Sequence, residues 1–124
     1  MSEKESNKNS AITFLQLTAS GNIDEAFSQY VGPTFKHHNH YFKGDKESLM
    51  AAMKESSIKM PNKVFEVKIA MEEEDKVMAY SHVKTAELDI AVVHIMKFKN
   101  ERIVEMWDLG QLISKDSPNE NGMF

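Results

Sequence analysis

The stretch AVVHIMKFKNERIVEMWDLGQL, residues 91–112, decides the fold. Its two halves are rich in apolar residues, and KNER between them has the composition of a hairpin turn. Successive residues of a strand point to opposite faces, so both faces of this predicted hairpin carry apolar side chains. A sheet that is covered by helices on one side needs only one apolar face. The pattern therefore predicts a sheet that curls around a pocket and buries its outer face against a second subunit.

The segments before this hairpin change from a helical to a strand period near Pro61. Three helices are predicted before that point, with N-caps at Ser10, Asn22 and Asp45 and ends at Gly21, Gly32-Pro33 and Pro61. After it, VFEVKIAME and KVMAYSHVK alternate as strands, and the first places Phe65, Val67, Ile69 and Met71 on one face. Helices followed by hairpin-linked strands predict the α+β class, with three N-terminal helices packed on a curved antiparallel sheet.

Length and composition restrict the class of protein. The chain has 124 residues, enough for one domain, which is predicted at residues 10–113. The polar arm (residues 1–9) and the tail rich in Ser, Pro and Asn (residues 114–124) are expected to be flexible, although Met123 and Phe124 could dock on the domain or on a partner. A net charge of -4 without a basic cluster disfavours nucleic-acid binding, and the lack of cysteine excludes disulfides and thiolate chemistry.

Hydropathy gives an expectation for the location of the protein. The longest apolar run is far shorter than the roughly 20 residues that a membrane-spanning helix needs. The first ten residues are polar and lack the apolar core of a signal peptide. We therefore expect a cytoplasmic protein that does not enter a membrane.

Two motifs resemble a known family. Residues 103–108 read Ile-Val-Glu-Met-Trp-Asp, and His38-Asn39 is followed by Gly44 just before the third predicted helix. Together with the order of helices and strands, they make residues 11–112 resemble the SnoaL-like polyketide cyclases of the NTF2-like superfamily. Some positions depart from the family pattern: Met106 replaces a histidine, His94 replaces an aspartate, and Tyr80 with His82 stands where the family often has two histidines.

The resemblance implies a fold, a ligand and an activity. The fold is the NTF2-like cone, with a mostly apolar pocket between helices and sheet. The homodimer through the sheet is expected from the two apolar faces of the last hairpin. The ligand is a small, largely apolar carbonyl compound. The activity is acid/base catalysis of an aldol cyclisation, an isomerisation or a dehydration, which the family performs without metal or cofactor. Because polar pocket positions depart from the family pattern, a non-catalytic ligand-binding domain remains the alternative.

Asp108 is the candidate acid/base that the resemblance implies. A carboxylate in an apolar pocket suits this chemistry, since desolvation raises its pKa toward the working pH. His38, His82 and His94 are expected to assist, and they form a titrating cluster if they share the face of Asp108. Asn39, Tyr80 and Met106 are expected to line the pocket. Trp107 lines it too if a bulge separates it from Asp108, and otherwise lies on the opposite face, at the dimer contact. The alternatives are that Asp108 bonds Arg102 or a backbone group and that the histidines are neutral core residues.

The histidine-rich segment before the third helix allows a different interpretation. In an extended run His38 and His40 point the same way, and two imidazoles on one face are half of a zinc or iron site. Ligands to complete it would have to come from the sheet, from His82, His94 or Asp108. A metal-dependent enzyme is therefore a third hypothesis. His38 with Asn39 could equally orient a substrate oxygen at the mouth of the pocket or belong to a plain loop.

Overall fold

A computed structural model describes residues 6–62 and 64–124. It contains the helices α1 (Asn7–Ala19), α2 (Ile23–Tyr30) and α3 (Lys46–Lys59) and the strands β1 (Val31–His37), β2 (Val64–Glu73), β3 (Lys76–Lys84), β4 (Asp89–Lys99) and β5 (Arg102–Leu112). The predicted α+β class is confirmed, with three helices and a sheet formed largely by the second half of the chain. Among the described residues, no helix is both long enough and apolar enough to cross a membrane.

Helix α1 begins earlier than its sequence suggests. The Ser6 side chain accepts a hydrogen bond from the backbone N of Asn9 at 3.1 Å and so caps the helix. Ser10, the predicted cap, is instead buried inside the helix. Residues 7–9 of the predicted N-terminal arm are therefore part of α1, and residues 1–5 of that arm lie outside the described residues.

The other two helices differ in how well their ends were predicted. Helix α3 starts as expected, because Asp45 Oδ2 accepts a hydrogen bond from the backbone N of Ser48 at 3.1 Å. Helix α2 ends at Tyr30, and Gly32 and Pro33 do not form a turn after it. They lie within β1, a strand that the sequence pattern did not predict.

The five strands form one sheet in the order β1-β5-β4-β3-β2. The neighbours from β2 to β5 are antiparallel, whereas β1 runs parallel to β5, with Val31 beside Ile103 and His37 beside Met106. The four strands that the sequence predicted are antiparallel, as expected, and the edge strand β1, which it did not predict, makes the sheet mixed. Its edge position also explains why β1 tolerates Pro33, which has no backbone N–H to donate.

The hydrophobic core lies between the helices and one face of the sheet. Phe14 of α1 is fully buried and packs edge-to-face on Phe27 of α2, with ring centroids 5.3 Å apart. Phe27 in turn packs on Phe35 of β1 at 5.9 Å. The sheet contributes buried side chains from β3, β4 and β5, namely Val77, Ala79, Met96, Ile103 and Met106. This face of the sheet, the inner face, is the one the helices cover.

A register shift in β2 changes which residues face the core. The pairing with β3 shifts between Val67 and Ile69, so the alternation of faces is interrupted there. Phe65 and Val67 pack against the core, but Ile69 and Met71 are 46% and 59% exposed. The four apolar residues predicted to share one face are thus divided between the inner and the outer face.

The C-terminal tail folds back over the outer face of the sheet. The backbone N of Ile113 bonds the carbonyl O of Asp89 at 2.8 Å, which extends the pairing of β5 with β4. Farther along, Tyr80 Oη donates to the carbonyl O of Met123 at 2.5 Å, and the Phe124 ring lies 5.2 Å from the Tyr80 ring. Of the two partners considered for the end of the tail, the structure shows the domain itself.

Candidate functional site

Asp108 and His94 face each other on the inner side of the sheet. They are directly paired residues of β5 and β4, and both line a cavity of about 240 Å³ between the sheet and the helices. The rest of the lining is mostly apolar and comes from α1, α3 and the strands, including Leu15, Ala19, Met53, Met60, Phe65, Val83 and Val92. The direct pairing places the carboxylate and the imidazole side by side in a largely apolar space.

Asn39 holds the carboxylate of Asp108. Its Nδ2 donates to Asp108 Oδ2 at 3.0 Å, while its Oδ1 accepts from the backbone N of Tyr41 at 3.0 Å. The second bond closes a turn in which an Asn side chain replaces a backbone acceptor, so the amide is oriented before it meets the carboxylate. Asn39 therefore leaves Asp108 Oδ1 as the oxygen that can engage a ligand.

The ring of His37 fixes the loop that carries Asn39. His37 is buried, its Nδ1 lies 3.1 Å from the backbone N of Asn39, and its Nε2 lies 2.7 Å from the carbonyl O of Lys43. A backbone N–H can only donate and a carbonyl can only accept, so this ring is protonated at Nε2 and not at Nδ1. His37 thus belongs to the loop structure, and its nitrogens are not available to a ligand.

A second cleft opens on the other side of Asp108. It has a volume of about 370 Å³ and lies between the loop after β1 and the strands β4 and β5. Its lining comprises His38, Asn39, His40, Tyr41, Ile90, Val92, Asp108, Leu109 and Gly110. Asp108 and Val92 line both spaces, so a ligand bound at the carboxylate can extend into either one.

The environment of His94 favours the neutral imidazole. Burial lowers the pKa of His94 from its usual range, and the nearby charge of Asp108 opposes this shift without cancelling it. Its Nδ1 is buried and has no hydrogen-bond partner among residues 6–62 and 64–124. A neutral imidazole can donate one hydrogen bond and accept one. Beside a carboxylate it forms a pair of groups that can both take part in proton transfer.

His38 is turned toward the outer face. Its ring stacks on Trp107 with centroids 5.0 Å apart and an angle of 7° between the planes. Its Nε2 lies 2.6 Å from Glu105 Oε2, and this hydrogen bond is the main reason why the pKa of Glu105 is lowered. His38 thus reaches the rim of the second cleft, but its Nε2 is engaged by Glu105 and not by Asp108.

His82 and Tyr80 lie on the opposite face from the candidate pair. His82 is paired with Ala91, and Ala91 faces away from His94 because the two are an odd number of positions apart in β4. The His82 ring bonds the carboxylate of Asp89 and lies 5.1 Å from the Phe124 ring. The predicted titrating cluster required His82 and His94 on the same face as Asp108. It is therefore not formed.

The remaining predicted residues divide in the same way. Trp107 occupies the outer face, as strict alternation with Asp108 requires, and no bulge separates the two in the pairing with β4. Met106 is 2% exposed and belongs to the core, and it lines neither space beside Asp108. The structure thus brings Asp108, His94 and Asn39 together, with His38 at the rim, and separates them from His82, Tyr80 and Trp107.

One polar residue of this region was not singled out from the sequence. Ser81 of β3 is fully buried on the inner face, and its Oγ has no hydrogen-bond partner among the described residues. The available signal was a serine on the side of β3 that also carries Val77, Ala79 and Val83. As for a metal site, residues 6–62 and 64–124 contain no group of three or more His, Asp or Glu side chains placed to hold an ion.

Comparisons with known proteins identify the fold. No protein-family model and no curated protein matches the chain. Among solved structures, an NTF2-like protein of unknown function from Cytophaga hutchinsonii is 15% identical and superposes with a TM-score of 0.72 over 90% of this chain and 95% of that one. An NTF2-like protein of unknown function from Burkholderia xenovorans is 16% identical, with a TM-score of 0.73 and coverages of 90% and 88%.

A third similar structure connects the fold to the family named above. It is a SnoaL-like polyketide cyclase from Agrobacterium tumefaciens, 12% identical, with a TM-score of 0.72 over 87% of this chain and 93% of that one. At such identities the similarity concerns the backbone and its topology and leaves the chemistry open. The chain has the NTF2-like fold, and its structural neighbours include SnoaL-like polyketide cyclases.

Proposed function

We propose that this protein is a cofactor-independent acid/base enzyme that acts on a small carbonyl compound by aldol cyclisation, isomerisation or dehydration. The observation that supports the proposal is the pairing of Asp108 with His94 across β5 and β4 in a largely apolar cavity. Carboxylates and imidazoles beside a cavity are the groups that move protons at carbon next to a carbonyl. The hydrogen bond from Asn39 Nδ2 orients the Asp108 carboxylate, as a general base requires.

Asp108 acts as the base in this proposal. With Oδ2 held by Asn39, the free Oδ1 removes a proton from the carbon next to the carbonyl, and the electron pair moves onto the carbonyl oxygen. The neutral imidazole of His94 donates a hydrogen bond to that oxygen while negative charge develops on it. Asp108 then returns the proton to carbon in an isomerisation, or to the new alkoxide after an aldol closure.

The two spaces beside Asp108 suggest the size and polarity of the substrate. The inner cavity, about 240 Å³, is below the usual range of pockets for drug-sized ligands, and its lining of Leu15, Met53 and Phe65 suits an apolar body. The second cleft, about 370 Å³, adds the polar rim of His38 and Asn39. We infer a small substrate whose apolar part enters the inner cavity and whose carbonyl lies at Asp108.

Exchange of carbon-bound hydrogen for deuterium tests this proposal without knowledge of the natural substrate. A panel of small ketones and β-dicarbonyl compounds is incubated with the protein in heavy water and followed by proton NMR. We expect Asp108→Asn to slow exchange of any active compound by about 10²-fold to 10⁴-fold, the usual contribution of a general base. Asp89→Asn is the matched control, because it makes the same chemical change on the other face of the sheet. Equal rates for wild type and Asp108→Asn would remove Asp108 from the mechanism.

A binding domain without catalysis is the second candidate. It is favoured by the engagement of His38 by Glu105 and of His82 by Asp89, which withdraws two of the four expected catalytic residues from Asp108. In this alternative the cavity holds a small ligand and the carboxylate only orients it. A ligand recovered unaltered, together with no deuterium exchange across the panel, would favour binding over catalysis.

We also propose that the outer face of the sheet forms a homodimer. Its support is the set of apolar side chains that remain exposed there, with Ile69, Met71 and Leu109 at 46%, 59% and 70%. Light scattering after size-exclusion chromatography should give a dimer for wild type and a monomer for Met71→Glu. Ile58→Glu is the control, because Ile58 is 81% exposed on α3 and away from the sheet. A monomeric wild type at high concentration would contradict this part of the proposal.

A further inference from the structure

The outer face of the sheet carries apolar and aromatic side chains in rows that run across four strands. Directly paired residues of antiparallel strands point to the same face, so the pairing from β2 to β5 aligns their outward side chains. Two adjacent rows, here called the outer rows, consist of Ile69, Tyr80, Val93 and Leu109 and of Met71, Met78, Ile95 and Trp107. The outer rows include the exposed side chains that support the proposed homodimer.

The end of the tail lies on the first of these rows. Tyr80 Oη donates to the carbonyl O of Met123 at 2.5 Å, and the Phe124 ring lies 5.2 Å from the Tyr80 ring. Lys68 Nζ lies 5.6 Å from the centre of the Phe124 ring, in a cation–π arrangement. Stacked sheets lie about 10 Å apart with interdigitating side chains, which leaves no layer for a further backbone segment. A second subunit therefore cannot pack on this row while Met123 and Phe124 occupy it.

The tail covers this row incompletely. Hydrogen bonds join residues 113–124 to the sheet near the two ends of that segment, at Ile113 and at Met123. A space of about 290 Å³, lined by Met123 and by residues of β3, β4 and β5, remains between the tail and the sheet. Leu109 is 70% exposed and Phe124 is 50% exposed. The row therefore keeps apolar area that the tail leaves in water and that a second sheet can bury.

We propose that the tail and a second copy of this chain compete for the outer rows, so that dimer formation requires release of Met123 and Phe124 in both copies. This inference rests on the proposed homodimer. The apparent affinity falls with the fraction of each copy whose tail is released, and this fraction enters twice because two copies must be competent. The hydrogen bond to Met123 alone favours the docked tail by about 2-fold to 10-fold. Docking of that strength weakens the dimer by about 10-fold to 100-fold.

Sedimentation equilibrium of the full chain and of a variant that lacks residues 122–124 tests the competition. We expect the dimer dissociation constant of the shortened chain to be about 10-fold to 100-fold lower than that of wild type. Phe124→Ala should lower the constant by a smaller factor, because the hydrogen bond from Tyr80 to Met123 remains. Met71→Glu in the shortened chain should give a monomer, because Met71 belongs to the outer rows. If the shortened chain does not fold, the sign of the change in Phe124→Ala decides.

Glu120→Gln is the matched control within the tail. Glu120 is exposed and lies outside the docked pair Met123 and Phe124, so the dissociation constant should stay at the wild-type value. Amide NMR of the ¹⁵N-labelled full chain gives a second readout. The signals of residues 123 and 124 should move from their docked to their released positions as the protein concentration rises and dimer forms. Signals that keep the docked positions in the dimer would overturn the inference.

The outcomes separate this inference from the homodimer itself. Equal dissociation constants for wild type and the shortened chain overturn the competition and leave the homodimer standing. A higher constant for the shortened chain also overturns it, since the tail would then contribute to the interface. A shortened chain that dimerises beside a monomeric wild type supports the competition and contradicts the wild-type homodimer. Monomers in every variant overturn both.

Discussion

Replacing Asn39 with aspartate tests the central contact of the site. The Asn39→Asp side chain keeps its size and still offers an oxygen to the backbone N of Tyr41, so the turn is preserved. What changes is the group that faces Asp108, because an amide that donates at 3.0 Å becomes a second carboxylate. We expect the variant to be less stable than wild type at neutral pH and to recover part of the loss as the pH falls.

The magnitude follows from two contributions. A hydrogen bond to a charged group contributes about 1.5–3 kcal/mol, and the variant loses it. Two carboxylates in contact then repel each other, by up to about 4 kcal/mol at 4 Å for an effective dielectric constant near 20. The pair lies partly open to solvent and can share a proton, which relieves much of the repulsion. We therefore expect a total loss of about 2–4 kcal/mol in the free energy of unfolding near pH 7.

The sign of the pH dependence is a second, independent result. In the folded variant the paired carboxylates bind a proton more tightly than separate carboxyls do in the unfolded chain. Where the folded state binds more protons, stability rises as the pH falls. Urea denaturation near pH 7 and near pH 5 should therefore show the gap between Asn39→Asp and wild type narrowing at the lower pH.

His40→Asp is the matched control for this experiment. It introduces an acidic residue next to Asn39 in the same loop, at an exposed position with no hydrogen bond to Asp108. We expect it to be within about 0.5 kcal/mol of wild type, as for most surface substitutions. If the two variants lose the same stability, or if Asn39→Asp loses none, the contact between Asn39 and Asp108 does not hold the site.

Three further predictions concern the core, a cap and the buried histidine. Phe14→Ala should destabilise the protein by about 3–5 kcal/mol, because a fully buried ring is removed, whereas Ile58→Ala at an exposed position should change little. Asp45→Ala should lower the free energy of unfolding by about 1 kcal/mol, because the N-cap hydrogen bond of α3 is lost. Urea denaturation measures the stability of each of these variants. Burial lowers the pKa of His94, so the unfolded chain takes up a proton there at a higher pH than the folded protein. Wild type should lose stability as the pH falls below about 6.5, and His94→Gln should lose less over the same interval. An equal loss in the two proteins would show that His94 is not held neutral by the fold.

Some structural features could be predicted because they depend on nearby residues. The cap of α3 needs only Asp45 and the first turn after it. The opposite orientation of Trp107 and Asp108 needs only the alternation of one strand. The three helices and the strands β2 to β5 likewise follow from local hydrophobic periods, which is why the α+β class was predicted correctly.

Other features could not be predicted because they depend on distant contacts. Strand β1 contains Gly32 and Pro33, which locally favour a turn, and it is a strand because it pairs in parallel with β5. The shift of register in β2 places Ile69 on the outer face, although the sequence alternates without interruption there. In each case the pairing of strands outweighs the local preference.

The candidate site shows the same division. The sequence by itself indicated Asp108 as the acid/base, Asn39 as a pocket residue, and His38, His82 and His94 alike as helpers. Only the tertiary structure separated them, because the register between strands places His94 beside Asp108 and turns His82 to the other face. The contact of Asn39 with Asp108 joins residues 69 positions apart. Local sequence determines which face of its own strand a side chain takes, but the partner it meets there depends on how distant segments pair, and no single segment contains that information.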